Sequence, residues 1–166
     1  MSEETIPLYE YHAWANKIVF SHLHILPEDI WNQNLTSVFP SIHQLLSHML
    51  ASDVLWLSVM CERPFEEARA ARNRLIEETG TETLTGMRTR FDETVDQYRT
   101  FLNQSNPALI IPLAHPHYGT FNSTLSAVVQ HVVNHGTYHR GNLTAMLHQL
   151  GHQGVPTDYV FYLYQA

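Results

Sequence analysis

Cysteine is almost absent from this sequence, and so is any long apolar run. The single cysteine, Cys61, excludes a disulfide within one chain and is typical of a protein from a reducing compartment. No apolar stretch approaches the roughly 20 residues of a membrane-spanning helix. The first residues, Met1-Ser-Glu-Glu, are acidic, where a secretory signal is basic and then apolar. We therefore expect a cytoplasmic protein that does not enter a membrane.

Basic residues are also scarce, which argues against nucleic acid as a partner. Nine lysines and arginines stand against 16 aspartates and glutamates, giving a net charge of −7 with neutral histidines. Binding to a phosphate backbone needs clustered positive charge. Arg69, Arg72 and Arg74 form the one locally basic stretch, and pairs of glutamates flank it. We expect a small molecule as the substrate.

Apolar residues recur at helical spacing in four segments, which predicts four α-helices. The segments are residues 5–26, 41–60, 83–102 and 123–150. Residues 61–80 are interpreted as a connection with one short helix. Residues 103–122 hold three prolines and are interpreted as a long crossover, with at most short extended pieces near Leu109. The chain is expected to form one domain, residues 1–166, folded as an all-α four-helix bundle with that crossover before the last helix.

Histidine is the residue in excess, and the fourth predicted helix places two of the 12 on its apolar stripe. The stripe advances by three or four residues through Leu125, Val128, Val132, His135, His139, Leu143, Met146 and Leu150. Imidazoles four residues apart lie on one helix face, about 6 Å apart at Cβ, and suit adjacent ligand positions on one metal ion. The alternative is a hydrogen-bonded core pair. This helix holds no Asp or Glu to partner buried imidazoles, so the spacing favours a metal.

A third ligand has to come from another helix. His48 lies deep inside the apolar second helix, one turn before the small residue Ser52. His43, in the first turn of that helix, is expected to be solvated, and His12 is a weaker rival as ligand. His131 extends the fourth-helix row by one turn, but we expect it to line a pocket and not to bind the metal.

The segment from His131 to Asn142 carries a recognisable motif. It reads His-Val-Val-Asn-His-Gly-Thr-Tyr-His-Arg-Gly-Asn and resembles the signature of the DinB family of small helical metalloenzymes, whose last helix carries His-x3-His-Arg-Gly-Gln. Tyr11-His-Ala-Trp-Ala-Asn16, His48 and Gly154-Val-Pro-Thr-Asp158 agree with the family in order, so the resemblance spans nearly the whole chain. Asn142 stands where the family usually has Gln.

This resemblance implies both an arrangement and a chemistry. The four helices would run up-down-down-up, often in a homodimer, and one divalent metal ion would be held by His48, His135 and His139. Members and relatives of the family include enzymes that use low-molecular-weight thiols, so the leading hypothesis is a metal-dependent thiol S-transferase acting on small electrophiles. Three histidines leave a coordination position open for a thiol or water. The ion is expected to be Zn, Ni, Fe or Mn, because imidazole suits several of them.

Four further residues are candidates for the pocket or for contacts behind the ligands: Tyr11, His12, Asp53 and His131. The alternative is a core position for Tyr11, a surface position for His12 and a solvated helix position for Asp53. Arg140 is expected to point away from the metal and to bind a carbonyl or carboxylate. Cys61 is expected to be inert.

Two other functions stay open on the sequence. The same site suits metal-dependent hydrolysis, and it also suits a metal-binding stress protein without turnover. A di-iron carboxylate protein would need Glu-x-x-His pairs, a zinc protease His-Glu-x-x-His, and a triad hydrolase Gly-x-Ser-x-Gly. The sequence has none of these motifs.

Overall fold

The helices of the protein account for most of the chain. A computed structural model describes residues 5–106, 108–115 and 118–165. These residues form α1 (Thr5–Leu23), α2 (Ile42–Met60), α3 (Phe65–Glu78), α4 (Leu84–Gln104), α5 (Leu125–Gln149), α6 (Tyr159–Leu163), a 3₁₀ turn at Glu28–Trp31, and strands β1 (Ile110–His115) and β2 (Gly119–Thr124). The acidic residues 1–4 and the prolines 107 and 116, on which sequence expectations rested, lie outside the described residues.

Hydroxyl side chains begin three of the long helices, as their sequences favour. In each case the hydroxyl oxygen accepts a hydrogen bond from the backbone N–H three residues later, which satisfies one of the unpaired amides of the first turn. The pairs are Ser41 with Gln44, Thr83 with Gly86, and Thr124 with Ala127. The predicted start of α2 at Ser41 is therefore correct.

The segment after α2 contains more helix than its sequence pattern predicts. Instead of one short helix, α3 extends over the 14 residues Phe65–Glu78, of which Ala68 alone is buried. Helix formers such as Ala, Arg and Glu give this helix its stability, and Glu66 and Glu67 favour its first turn through the helix dipole. The spacing of apolar residues did not predict α3 as a long helix, because a helix with one buried position has almost no apolar stripe. It packs mainly against α2.

The prediction of an all-α fold is corrected by a β-hairpin in the segment interpreted as an irregular crossover. Strands β1 and β2 pair antiparallel, from Ile110 opposite Thr124 to His115 opposite Gly119. Pro112 is tolerated because a two-stranded sheet has only edge strands. Ile111 is completely buried and fixes the hairpin to the helices. The fold is therefore mostly helical with one small antiparallel sheet.

Four long helices surround the core. α1 and α2 each contact both α4 and α5. The C-terminal tail packs on α1 as its apolar sequence predicts, since the Tyr11 hydroxyl donates to the carbonyl oxygen of Thr157 at 2.8 Å and its ring meets that of Tyr159 edge-on. Within the described residues, no helix combines the length and the apolar character needed to cross a bilayer.

Candidate metal centre

Three imidazole rings meet between α2 and α5. The Nε2 atom of His48 lies 3.3 Å from Nε2 of His135 and 3.1 Å from Nε2 of His139. The Nε2 atoms of His135 and His139 are 3.1 Å apart, as their positions one turn apart on α5 allow. His139 is buried and the other two rings are half-buried, so the cluster lies at the edge of the core.

The spacing of these nitrogens fits a metal ion. Zinc with Zn–N bonds of about 2.0–2.1 Å in tetrahedral geometry brings neighbouring ligand nitrogens about 3.3 Å apart. The cluster of His48, His135 and His139 can hold a metal ion, and no carboxylate or thiol of the described residues belongs to it. A fourth position would therefore be filled by water or by a ligand. That these three residues bind a metal stays a prediction.

The electrostatics of the cluster keep the three rings neutral. Burial, followed by the neighbouring His139 and by Arg72, lowers the pKa of His48 to about 4. Burial, followed by His139 and His48, lowers the pKa of His135 to about 3, and burial also lowers the pKa of His139. Neutral imidazole is the form that binds metals. At neutral pH the lone pairs are therefore available without loss of a proton.

Nδ1 of His139 and Nδ1 of His48 each have a polar neighbour, and the two neighbours would affect metal binding in different ways. Nδ1 of His139 lies 3.3 Å from the side-chain amide of Asn142. With a metal on Nε2, Nδ1 carries the hydrogen, and the amide can accept it by presenting its oxygen, because the two orientations of an amide are nearly isosteric. Asn142 therefore lies behind the candidate ligand His139 although it is shorter than the Gln usual in the DinB pattern.

Arg72 occupies the corresponding place beside His48. Its Nη2 donates to Nδ1 of His48 at 3.3 Å. A guanidinium has no acceptor, so this hydrogen bond requires an unprotonated Nδ1. A neutral His48 that binds a metal through Nε2 has its proton on Nδ1, and the contact with Arg72 must then break. Arg72 would thus oppose metal binding by the cluster, whereas Asn142 would support it.

Two aromatic rings pack against the cluster. Phe39 packs on His48 and His139 with ring centroids 5.0 and 5.6 Å away, and Tyr138 meets His139 edge-on at 5.0 Å. Sequence reasoning missed Phe39 and Arg72, because neither lies on a periodic apolar stripe. Only the fold brings them to the histidines.

Two of the residues predicted to lie behind the ligands form a buried pair. Nε2 of His12 donates to Oδ2 of Asp53 at 3.0 Å, and both residues are almost inaccessible. The alternatives of a surface position for His12 and a solvated position for Asp53 are therefore wrong. The Asn16 amide nitrogen lies 3.1 Å from Nε2 of His12, and its oxygen accepts from Arg140 at 3.1 Å. Arg140 thus binds an amide carbonyl, as expected.

The other candidate residues are more dispersed. Tyr11 contacts the tail and Arg140 and does not belong to the histidine cluster. His131 lies one turn from His135, with ring centroids 6.2 Å apart. His43 was expected to be solvated, but it is buried and its Nε2 donates to the carbonyl oxygen of Thr79 at 2.7 Å, because α3 brings Thr79 over the start of α2. Cys61 is exposed at the end of α2.

Comparison with known proteins gives two full-length similarities. Residues 1–166 match the sequence profile of the DinB family. The chain is also 41% identical over 167 residues to Protein DinB of Bacillus subtilis (strain 168), in an alignment that covers 100% of this chain and 97% of that relative. Both similarities include the two helices that carry the three histidines.

Proposed function

This chain belongs to the DinB family, and on that basis we propose that it is a divalent-metal-dependent enzyme that transfers a low-molecular-weight thiol to small electrophiles. The observation that carries the proposal is the convergence of three imidazole Nε2 atoms, 3.1–3.3 Å apart, with no acidic or thiol side chain in the cluster. Such a set leaves room for an exogenous ligand. Zn, Ni, Fe and Mn are the candidate ions.

The metal would supply one thing, which is stabilisation of the deprotonated form of a thiol at neutral pH. Because all three imidazoles are neutral, they leave the positive charge of the cation uncompensated and available to an anionic sulfur. The buried pair of His12 and Asp53 holds α1 and α2 together next to α5. Phe39 excludes water from one side of His48.

The transfer itself balances without any redox partner. The thiol gives its proton to water, and its sulfur forms a bond to the electrophilic carbon. In a displacement, the bond from that carbon to the leaving group breaks and the leaving group takes the electron pair. In an addition to an activated alkene, the electron pair moves to the neighbouring atom, which then takes a proton from water.

A metal-dependence assay tests this function. Zinc-loaded protein is incubated with glutathione, cysteine or coenzyme A and 1-chloro-2,4-dinitrobenzene, with and without a chelator. We expect turnover that is lost with the chelator and in His135→Ala. His148→Ala is the matched control, since it removes an exposed histidine of the same helix. Turnover that survives chelation, or no turnover over a wider thiol and electrophile panel, would refute the proposal.

The same assay separates the two alternatives. Chelator-sensitive cleavage of esters or amides without a thiol would indicate a hydrolase. One equivalent of tightly bound metal without turnover of either kind would indicate a metal-binding protein.

The up-down-down-up order is the bundle topology that we infer for α1, α2, α4 and α5. Successive side-chain pairs along neighbouring helices support it. The pairs are Tyr9–Tyr98 and Phe20–Phe91 for α1 with α4, His12–Gly136 and Asn16–Arg140 for α1 with α5, and His48–His139 and Trp56–His131 for α2 with α5. These pairs support a topology in which α4 is antiparallel to α1, α5 is parallel to α1, and α2 is antiparallel to α5.

A homodimer in the cytoplasm is also part of the proposal. Four apolar side chains of α6 are at least 43% exposed, namely Tyr159, Val160, Phe161 and Leu163, and an interface would cover them. The single cysteine fits a reducing compartment. Light scattering on the purified protein measures the oligomeric state, and a monomer at micromolar concentration would contradict the dimer.

A further inference from the structure

An apolar cavity lies between α2 and α5, beyond the histidine cluster. A cavity of about 830 Å³ opens between the last turns of α2, the start of α3, the hairpin and the first turns of α5. Most of its lining is apolar, with walls that include Trp56, Val59, Phe65, Leu113, Phe121 and Val128. Its volume is in the range of small-molecule sites, about 300–1,000 Å³.

The cavity is next to the candidate metal centre along the groove between the two helices. On α5, His139, His135 and His131 follow one another at four-residue intervals, and His131 lines the cavity. The His131 ring lies 6.2 Å from that of His135 and 4.4 Å from that of Trp56. The histidine cluster and the cavity are therefore one helical turn apart.

Residues of α2 follow the same four-residue spacing from the histidine cluster to the cavity. His48, Ser52 and Trp56 are also four residues apart, and α2 runs antiparallel to α5 at this point, since His48 contacts His139 and Trp56 contacts His131. Between them Ser52 is small, and its hydroxyl is already used by the carbonyl oxygen of His48. Ser52 is thus the α2 residue between His48 of the cluster and Trp56 of the cavity wall at this spacing.

We propose that this cavity binds the electrophilic substrate and that the substrate is an uncharged aromatic compound. The inference rests on the proposed function, in which the sulfur is held at the metal. A substrate seated against Trp56 and Phe121 would place its reactive carbon at the His131 end, facing that sulfur.

The charges and the exposure of the lining residues favour an uncharged aromatic substrate. Glu62 and Arg63 are the charged residues of the lining, and both lie on the exposed rim, so an ionic ligand would lose hydration inside without a partner. Aromatic walls favour a planar ring through stacked and edge-on contacts. Phe121 is 59% exposed, and a bound aromatic compound would cover it.

Binding of 1-fluoronaphthalene, an unreactive aromatic probe, tests the site by fluorine NMR on zinc-loaded protein. Ala127→Trp fills the cavity from an exposed position of α5, so the fold should tolerate it. We expect roughly tenfold weaker binding in this variant. Ala70→Trp, at an exposed position of α3 outside the cavity, is the matched control and should bind as the parent does. Equal affinities in the two variants would overturn the proposal.

Replacing zinc by manganese tests the proximity to the metal. The fluorine nucleus of the bound probe should relax faster in manganese-loaded than in zinc-loaded protein, and this difference should vanish in His135→Ala. A bound probe that relaxes equally with both metals would also overturn the proposal.

Turnover is a separate readout: a probe held near the metal without any thiol transfer refutes the proposed function alone. Thiol transfer with probe binding insensitive to Ala127→Trp refutes the cavity alone.

Discussion

The ring of His12 lies directly against Gly136, the residue that follows His135 on α5. A Cβ at position 136 would come within 2.4 Å of Cε1 and 2.5 Å of Nδ1 of His12. The absence of a side chain at Gly136 therefore lets a buried histidine of α1 reach the helix that carries two of the three clustered histidines. Asp53 accepts a hydrogen bond from Nε2 of that ring, so the ring cannot easily move away.

A methyl group at this position should destabilise the protein. We expect Gly136→Ala to lower the free energy of unfolding by about 1–2 kcal/mol, because overpacking costs about 1–3 kcal/mol and improved helix propensity returns up to about 1 kcal/mol. Gly141→Ala is the control in the same helix, since a Cβ there meets nothing within 4 Å. It should raise stability by about 0.5–1 kcal/mol. Urea denaturation of metal-free protein measures both, and equal effects would contradict the packing argument.

Removal of the amide behind His139 should weaken metal binding. We expect Asn142→Leu to lower zinc affinity by about 10–100-fold, the range found when the acceptor behind a ligating histidine is lost. Asn142→Gln keeps the amide and should stay within about threefold of the parent. Competition with a chromophoric chelator at pH 7.5 measures the affinities. An affinity unchanged by Asn142→Leu would mean that the amide does not contact the metal-bound ring.

Replacement of Arg72 should have the opposite effect. We expect Arg72→Gln to raise zinc affinity on the order of tenfold, because it removes a positive charge near the cation and offers Nδ1–H of His48 an acceptor. Arg74→Gln, which removes an exposed positive charge from the same helix, is the control. The same chelator competition applies, and weaker binding in Arg72→Gln would show that Arg72 positions His48 instead of opposing the metal.

The metal-free protein should lose stability as the pH falls below 6.5. The folded-state pKa values of His48 and His135 are about 4 and 3, against 6.5 for an unperturbed histidine. Between these values the unfolded chain binds more protons than the folded chain, so the free energy of unfolding decreases with decreasing pH. Thermal midpoints between pH 7.5 and 4.5 measure this. The slope should be shallower in His135→Gln than in His148→Gln, and identical slopes would contradict the assignment.

Much of the candidate site could be predicted from sequence because it depends on local periodicity. His135 and His139 fall on the stripe of α5 together with Val132 and Leu143, and a helix of any fold would place them on one face. His48 was harder to assign. Its helix is buried at nearly every position, so periodicity could not orient it, and the family motif supplied the choice.

The wrong expectations for His43 and Asp53 share a physical origin, which is contact between segments distant in the chain. His43 is buried because Thr79 accepts its hydrogen bond across 36 positions, and Asp53 is buried because His12 partners it across 41. The strands β1 and β2 of the hairpin are neighbours in the chain, but Ile111 inserts into a core formed by the helices. No local pattern of apolar residues records such partners.

By itself the sequence determined four long helices, the cap at Ser41 and the shared face of His135 and His139, because helical periodicity and a capping motif are local features that need no knowledge of the rest of the chain. Tertiary structure alone decided that the Nε2 atom of His48 would complete the cluster and that Arg72 would stand behind it. It also placed an apolar cavity one turn from the histidines. These relationships depend on how α2, α3 and α5 pack, and packing is set by the shapes of many side chains together.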